Sequence, residues 1–117
     1  MESTIAIEAF SALAHPGRLA VFRLLVRSGP SGASAGAVAR ALSTPANTMS
    51  TQLAILARAG LIRSRRESRS IIYMADYPRI TGLVGFLMED CCQGRPEIRA
   101  PLAAMAARVP TLHERSQ

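Results

Sequence analysis

The run SAGAVARALSTPANTMSTQLAILARAGLIRSRRESRSIIYM, Ser34 to Met74, decides the architecture of this 117-residue chain. Ser34 suits the N-cap of a helix of small residues reaching about Leu42, with Val38, Ala39 and Leu42 turned inward. Ser43-Thr44-Pro45 interrupts it. Pro45 then takes the first position of a second helix, which continues to Ala59 and is stopped by Gly60 in the C′ position. Leu61–Arg66 and Ser70–Met74 follow as two strands, with Glu67-Ser68-Arg69 as the hairpin tip.

Working outward, Ile5–Ala14 reads as a short helix with Ile5, Ala9, Phe10, Leu13 and Ala14 at helical spacing. His15-Pro16-Gly17 breaks it, and Pro16 suits the first turn of a helix to about Arg27 that buries Val21, Phe22, Leu25 and Val26. His15 is a capping or turn residue in this reading, and Ser28–Gly32 is a loop. On the other side, Ile80–Cys92 forms a long amphipathic helix. Gly94, Pro96 and Pro101 interrupt the chain, Leu102–Arg108 forms one more short helix, and 110–117 is a tail. The whole is one domain, mainly α with a small β-hairpin, and its order of helix, polar break, helix and hairpin is that of a winged helix-turn-helix.

The second helix of the central run divides cleanly on a helical wheel. Met49, Leu53, Leu56 and Ala57 fall on one side, and Asn47, Thr48, Thr51, Gln52 and Arg58 on the other. A helix that packs on a core and also reads a DNA groove needs this division. Asn and Gln can bond both edge atoms of adenine, and Thr can meet a thymine methyl. No acid occurs from Ser43 to Arg66, and Arg58, Arg63, Arg65, Arg66 and Arg69 place five of the 14 arginines within 12 residues. A hairpin beside a recognition helix reaches neighbouring phosphates or the minor groove with such side chains.

Composition agrees. The formal charge is +6 and every basic residue is Arg, so the chain attracts polyanions, nucleic acid before anionic membrane. A count of 20 Ala and 14 Arg with no Lys also fits coding bias, so the placement of the charges carries the argument. With 49% apolar residues the chain folds, yet five aromatics and no Trp leave a lean core to which dimerisation adds buried surface. Met1-Glu2-Ser3-Thr4 does not open a signal peptide, and no apolar run approaches the ~18 residues of a membrane span. A cytoplasmic protein with reduced thiols is expected, with no membrane partner. There is no Ser/His/acid set, no Gly-rich phosphate loop and no Cys-x-x-Cys, which argues against an enzyme.

Phe10-Ser11-Ala12-Leu13-Ala14-His15-Pro16-Gly17-Arg18 resembles the opening segment of the ArsR/SmtB family of bacterial repressors. Ser50 through Ile62 resembles that family's recognition helix and its exit, and Arg66-Glu67-Ser68-Arg69 through Tyr73 its wing, although Gly is commoner where Ser68 stands. The resemblance covers about 9–92. It implies a homodimer in which the first and last long helices (3–14 and 77–92) pack across a two-fold axis. With it come a helix-turn-helix over 34–59, a wing over 61–74, a tail over 109–117, a palindromic double-stranded operator and release by an inducer. The DNA-binding residues it implies, with the wheel, are Asn47, Thr48, Ser50, Thr51, Gln52, Arg58, Arg65, Arg66 and Arg69. Periodicity supports the dimer separately: Ile80, Leu83, Val84 and Leu87, continued by Cys91, form an apolar stripe that needs a partner.

The inducer is read from the thiols. Ala35-Gly36-Ala37-Val38-Ala39 lacks the Cys-Val-Cys of many soft-metal sensors in the family, and the only histidines, His15 and His113, lie outside the last long helix. Zinc, which wants imidazole or several ligands, is not expected. Cys91 and Cys92 are adjacent soft donors, and Glu89 through Glu97 resembles a branch that binds arsenite at a cysteine pair near the end of the dimer helix. Arg95 lies where it can favour thiolate. Ile98 and Arg99 stand where that branch supplies a third cysteine, so two sulfurs per subunit suit a methylated trivalent arsenical, or a dimer pools four. Arsenite or methylarsenite at Cys91/Cys92 is the leading reading. Redox or persulfide sensing by the same pair, a buried structural Cys91, and a winged helix that mediates protein interaction only remain alternatives.

Overall fold

A computed structural model describes residues 1–89. It contains α1 (Ser3–Leu13), α2 (Pro16–Ser28), a 3₁₀ turn (Gly29–Ser31), β1 (Ala33–Ser34), α3 (Ala35–Ala41), α4 (Ala46–Arg58), β2 (Ile62–Glu67), β3 (Ser70–Ala75) and α5 (Tyr77–Met88). The expected helix over 102–108, the tail and the Cys91–Cys92 pair lie outside the described residues. The last long helix is shifted from its expected span of 80–92: it starts at Tyr77 and closes at Met88, where Glu89 leaves helical geometry (φ −58°, ψ 131°).

Local chemistry sets the element ends. His15 is extended (φ −157°), and its Nδ1 accepts the backbone N–H groups of Gly17 (3.0 Å) and Arg18 (3.3 Å), so it caps α2. Arg18 closes α1 from the other side, donating from Nε to the Ala12 carbonyl (2.6 Å) and from Nη2 to the Ser11 carbonyl (3.4 Å). One short segment thereby satisfies both helix ends and makes the α1–α2 corner abrupt. The Ser34 hydroxyl accepts the Ala37 N–H (3.2 Å) and caps α3 as expected. Pro45 differs from expectation: with ψ 148° it is the N-cap of α4, and Ala46 is the first helical residue. Gly60, at φ 78°, occupies the left-handed position after the Ala59 C-cap.

The hairpin belongs to a three-stranded antiparallel sheet of order β1-β3-β2. Sequence reading missed β1, in which Ala33 pairs with Tyr73 and Ser34 with Ile72. Gly32 makes this approach possible. It sits at φ 63°, and a Cβ there would lie 2.3 Å from the Tyr73 carbonyl oxygen. The β2–β3 register places Glu67 opposite Ser70, so the loop is Ser68-Arg69, with Ser68 at φ 55°. Positive φ at the first central residue only is the type II′ arrangement, which explains why glycine is favoured there.

Val21, Leu25, Val38, Met49, Leu53, Leu56 and Leu61 are fully buried and make the centre, with Ile62, Ala75 and Leu83 closing its edges. Truncating any of the four leucines among them to Ala should cost about 2–5 kcal/mol. α1 buries Ala6, Ala9 and Ala12 in this core and packs the half-buried Leu13 against it, while Ile5, Ile7 and Phe10 remain exposed. α5 is pinned by the Tyr77 hydroxyl, which donates to the Val26 carbonyl (2.9 Å), and capped by Asp76, which accepts the Arg79 N–H (3.0 Å). Leu83 is buried, whereas Val84 and Leu87 on the same stripe are open to solvent. Among the described residues no helix is long and apolar enough to cross a membrane.

Candidate nucleic-acid interface

α4 leaves the core with its outer side uncharged up to its last residue. Asn47, Thr48, Ser50 and Thr51 are exposed, as is Arg58, while Met49, Leu53 and Leu56 are buried. The Asn47 Oδ1 accepts the Thr48 N–H (2.9 Å), and the Thr51 hydroxyl donates to the Asn47 carbonyl (3.2 Å), which orders both side chains at the helix start. Pro45 offers no side-chain cap, and the first turn carries no acid. The N–H groups of Ala46 and Asn47 and the positive dipole end of α4 are therefore left for an external anion, while the Thr48 N–H is taken by Asn47.

Two expected positions are corrected. Gln52 does not face outward: it is 9% exposed, and its amide packs over Gly17, where a Cβ would lie 2.4 Å from Nε2. Ala57, expected inward, is exposed. On the wheel Gln52 lies about 140° from Asn47, some 40° outside the arc of about 180–240° occupied by Leu56, Met49 and Leu53. The missing Cβ of Gly17 provides the room that extends the buried side to it. Gln52 thus packs between α4 and the start of α2.

The wing separates its arginines by strand alternation. Ile62, Ser64 and Arg66 point to one face of β2, Arg63, Arg65 and Glu67 to the other. Arg63 lies 3.8 Å from the Asp76 carboxylate. Arg65 donates to Glu67 (2.6 Å), to the Pro30 carbonyl (2.9 Å) and to the Ser31 carbonyl (3.1 Å), so it is engaged with the protein itself. Arg66 and Arg69 make neither ion pairs nor side-chain hydrogen bonds among the described residues, and both are exposed. Arg58, at the end of α4, lines an open cleft of about 400 Å³ with Glu8, Ser11 and Arg18, beside α1. Sequence reading overlooked Gly17 and Arg18, whose only signal was their position in the α1–α2 corner.

No group of three or more His, Cys, Asp or Glu able to hold a metal occurs among the described residues, and Cys91 and Cys92 lie outside them.

Comparison with known proteins agrees with this geometry. A helix-turn-helix domain family matches residues 13–65. An HTH-type transcriptional regulator of Mycobacterium tuberculosis, Rv0081, is 35% identical over 81 residues, which is 66% of this chain and 66% of that protein, just under two thirds of its length. The crystal structure of Rv0081 matches 94% of this chain and all of that one, at 26% identity and a TM-score of 0.58. The homodimeric winged helix-turn-helix DNA-binding domain of Mb0332 from Mycobacterium bovis, a possible ArsR-family regulator, is 25% identical, covering 79% of this chain and 85% of that one with a TM-score of 0.59. The transcriptional repressor BigR from Xylella fastidiosa is 27% identical over 74% of this chain and 85% of its own, with a TM-score of 0.56. The chain thus has a winged helix-turn-helix fold and is similar to HTH-type transcriptional regulators, a possible ArsR-family member among them.

Proposed function

We propose that this chain is a DNA-binding transcriptional regulator of ArsR type and acts as a homodimeric repressor. It binds a palindromic double-stranded operator and lets go when a trivalent arsenical, arsenite or methylarsenite, is captured by Cys91 and Cys92. The observation that carries the DNA-binding part is the exposed strip Asn47-Thr48-Ser50-Thr51 at an uncapped helix start, on a chain whose wing bears the unpaired Arg66 and Arg69. The exposed Ile5, Ile7, Phe10, Val84 and Leu87 on α1 and α5 support the dimer, as does the homodimeric Mb0332 domain. Two recognition helices across a dyad meet half-sites about one DNA turn apart. The repressing sense is in keeping with BigR. The arsenical rests on the adjacent soft thiols, which follow α5 by three residues in the sequence.

Titration of a fluorescent operator complex tests this. Stoichiometric arsenite or methylarsenite should release the DNA, zinc should not, and Cys91→Ser or Cys92→Ser should block release with operator affinity intact. Release by persulfide alone would reassign the pair to sulfane-sulfur sensing. No release by any thiol reagent would remove the cysteines from the mechanism.

A further inference from the structure

We propose that Arg65 is a positioning residue for the wing and makes no contact with DNA. Its guanidinium clamps the hairpin to the 3₁₀ turn at the end of α2. The inference rests on the DNA-binding part of the function proposed above. All three of its nitrogens are engaged. Nη1 donates to the Pro30 carbonyl (2.9 Å) and lies 3.4 Å from the Met74 sulfur, Nη2 donates to the Ser31 carbonyl (3.1 Å), and Nε to the Glu67 carboxylate (2.6 Å). Four of its five N–H bonds thus point at protein atoms, and a phosphate that took more than the one left on Nη2 would have to displace bonds, two of which join residues 34 and 35 positions apart.

The clamp also sits where the hairpin needs it. Arg65 is opposite Ile72, and Ile72 is the last residue of β3 toward the tip that β1 supports, through Ser34. Beyond that rung, Arg66, Glu67, Ser70 and Ile71 have only each other as strand partners. The receiving carbonyls are themselves fixed. The turn is closed by the Gly32 N–H on the Gly29 carbonyl (3.1 Å) and by the Ser31 hydroxyl on the Ser28 carbonyl (3.1 Å). Gly32 presses that turn against Tyr73. The direction in which Arg66 and Arg69 project is thus set by the end of α2, through one planar fork that lysine cannot reproduce.

The test compares Arg65→Lys with Arg66→Lys, because each keeps the charge. A phosphate contact survives this exchange nearly intact, since an ammonium also binds phosphate. Two carbonyls bridged by one guanidinium do not. Arg65→Lys is expected to weaken operator binding about fivefold or more, and Arg66→Lys less than about twofold. In the DNA-free protein, Arg65→Lys should speed amide exchange of Arg66 to Ile71 while α2 and α4 exchange as in the wild type. An equally mild effect of both variants on DNA, or unchanged wing exchange in Arg65→Lys, would overturn the clamp. Absence of DNA binding by the wild type would instead refute the function proposed above, and the exchange measurement would still decide whether Arg65 holds the wing.

Discussion

At the corner between α1 and α2 a histidine ring nitrogen accepts two backbone N–H groups. Loss of that acceptor leaves both unsatisfied, so His15→Ala should lower stability by about 1 kcal/mol in urea unfolding. Gly32→Ala is the harsher change. It combines a left-handed backbone with a Cβ 2.3 Å from the Tyr73 carbonyl oxygen, and backbone cannot yield as a flexible side chain does. A loss of roughly 2–4 kcal/mol is expected, with β1 pulled from β3. Gln52 shows the limit of single-residue reading. Its chemistry suits adenine, but its direction depends on a glycine 35 positions earlier that no periodicity reveals. A wheel assigns an angle, not a neighbour.

Among elements, the first four helices and both wing strands were legible because each carries its own punctuation: His15-Pro16, Ser34, Pro45, Gly60 and the Ser68 tip. β1 was not, since two residues have no period and its existence depends on Gly32 admitting β3. The candidate site was legible as a surface and less so as a set. Asn47, Thr48, Ser50, Thr51, Arg66 and Arg69 are exposed, but Arg65 is bonded to a loop that sequence spacing could not bring near it. Among the described residues the wing accordingly has two cations without a side-chain partner, Arg66 and Arg69. Replacing Arg66 and Arg69 by Ala should flatten the slope of log affinity against log salt by about 1.8, close to two phosphates, and should weaken binding to all sequences alike. Thr51→Ala should instead change which sequence is preferred, read by competition with operator variants.

For the whole molecule, a net charge of +6 favours polyanions such as DNA, and in the proposed dimer the spacing of two reading heads comes from pairing of copies. Leu87, 59% exposed on α5, is the sharpest probe of that pairing. Leu87→Glu should leave the fold intact, shift sedimentation to a monomer, and lower operator affinity by about 100-fold or more as one half-site's contribution is lost. A protein that sediments as a dimer with Glu at this position would refute α5 as the pairing surface.

The alanine seam of α1 has one more consequence. With nothing larger than a methyl at Ala6, Ala9 and Ala12, this helix turns only Leu13 of its bulky hydrocarbon inward and keeps Ile5, Ile7 and Phe10 outside, the reverse of an ordinary surface helix. If the proposed dimer covers this side, a solitary copy shows hydrocarbon to water that a mate would hide. Dilution alone should then make α1 easier for a protease to cut.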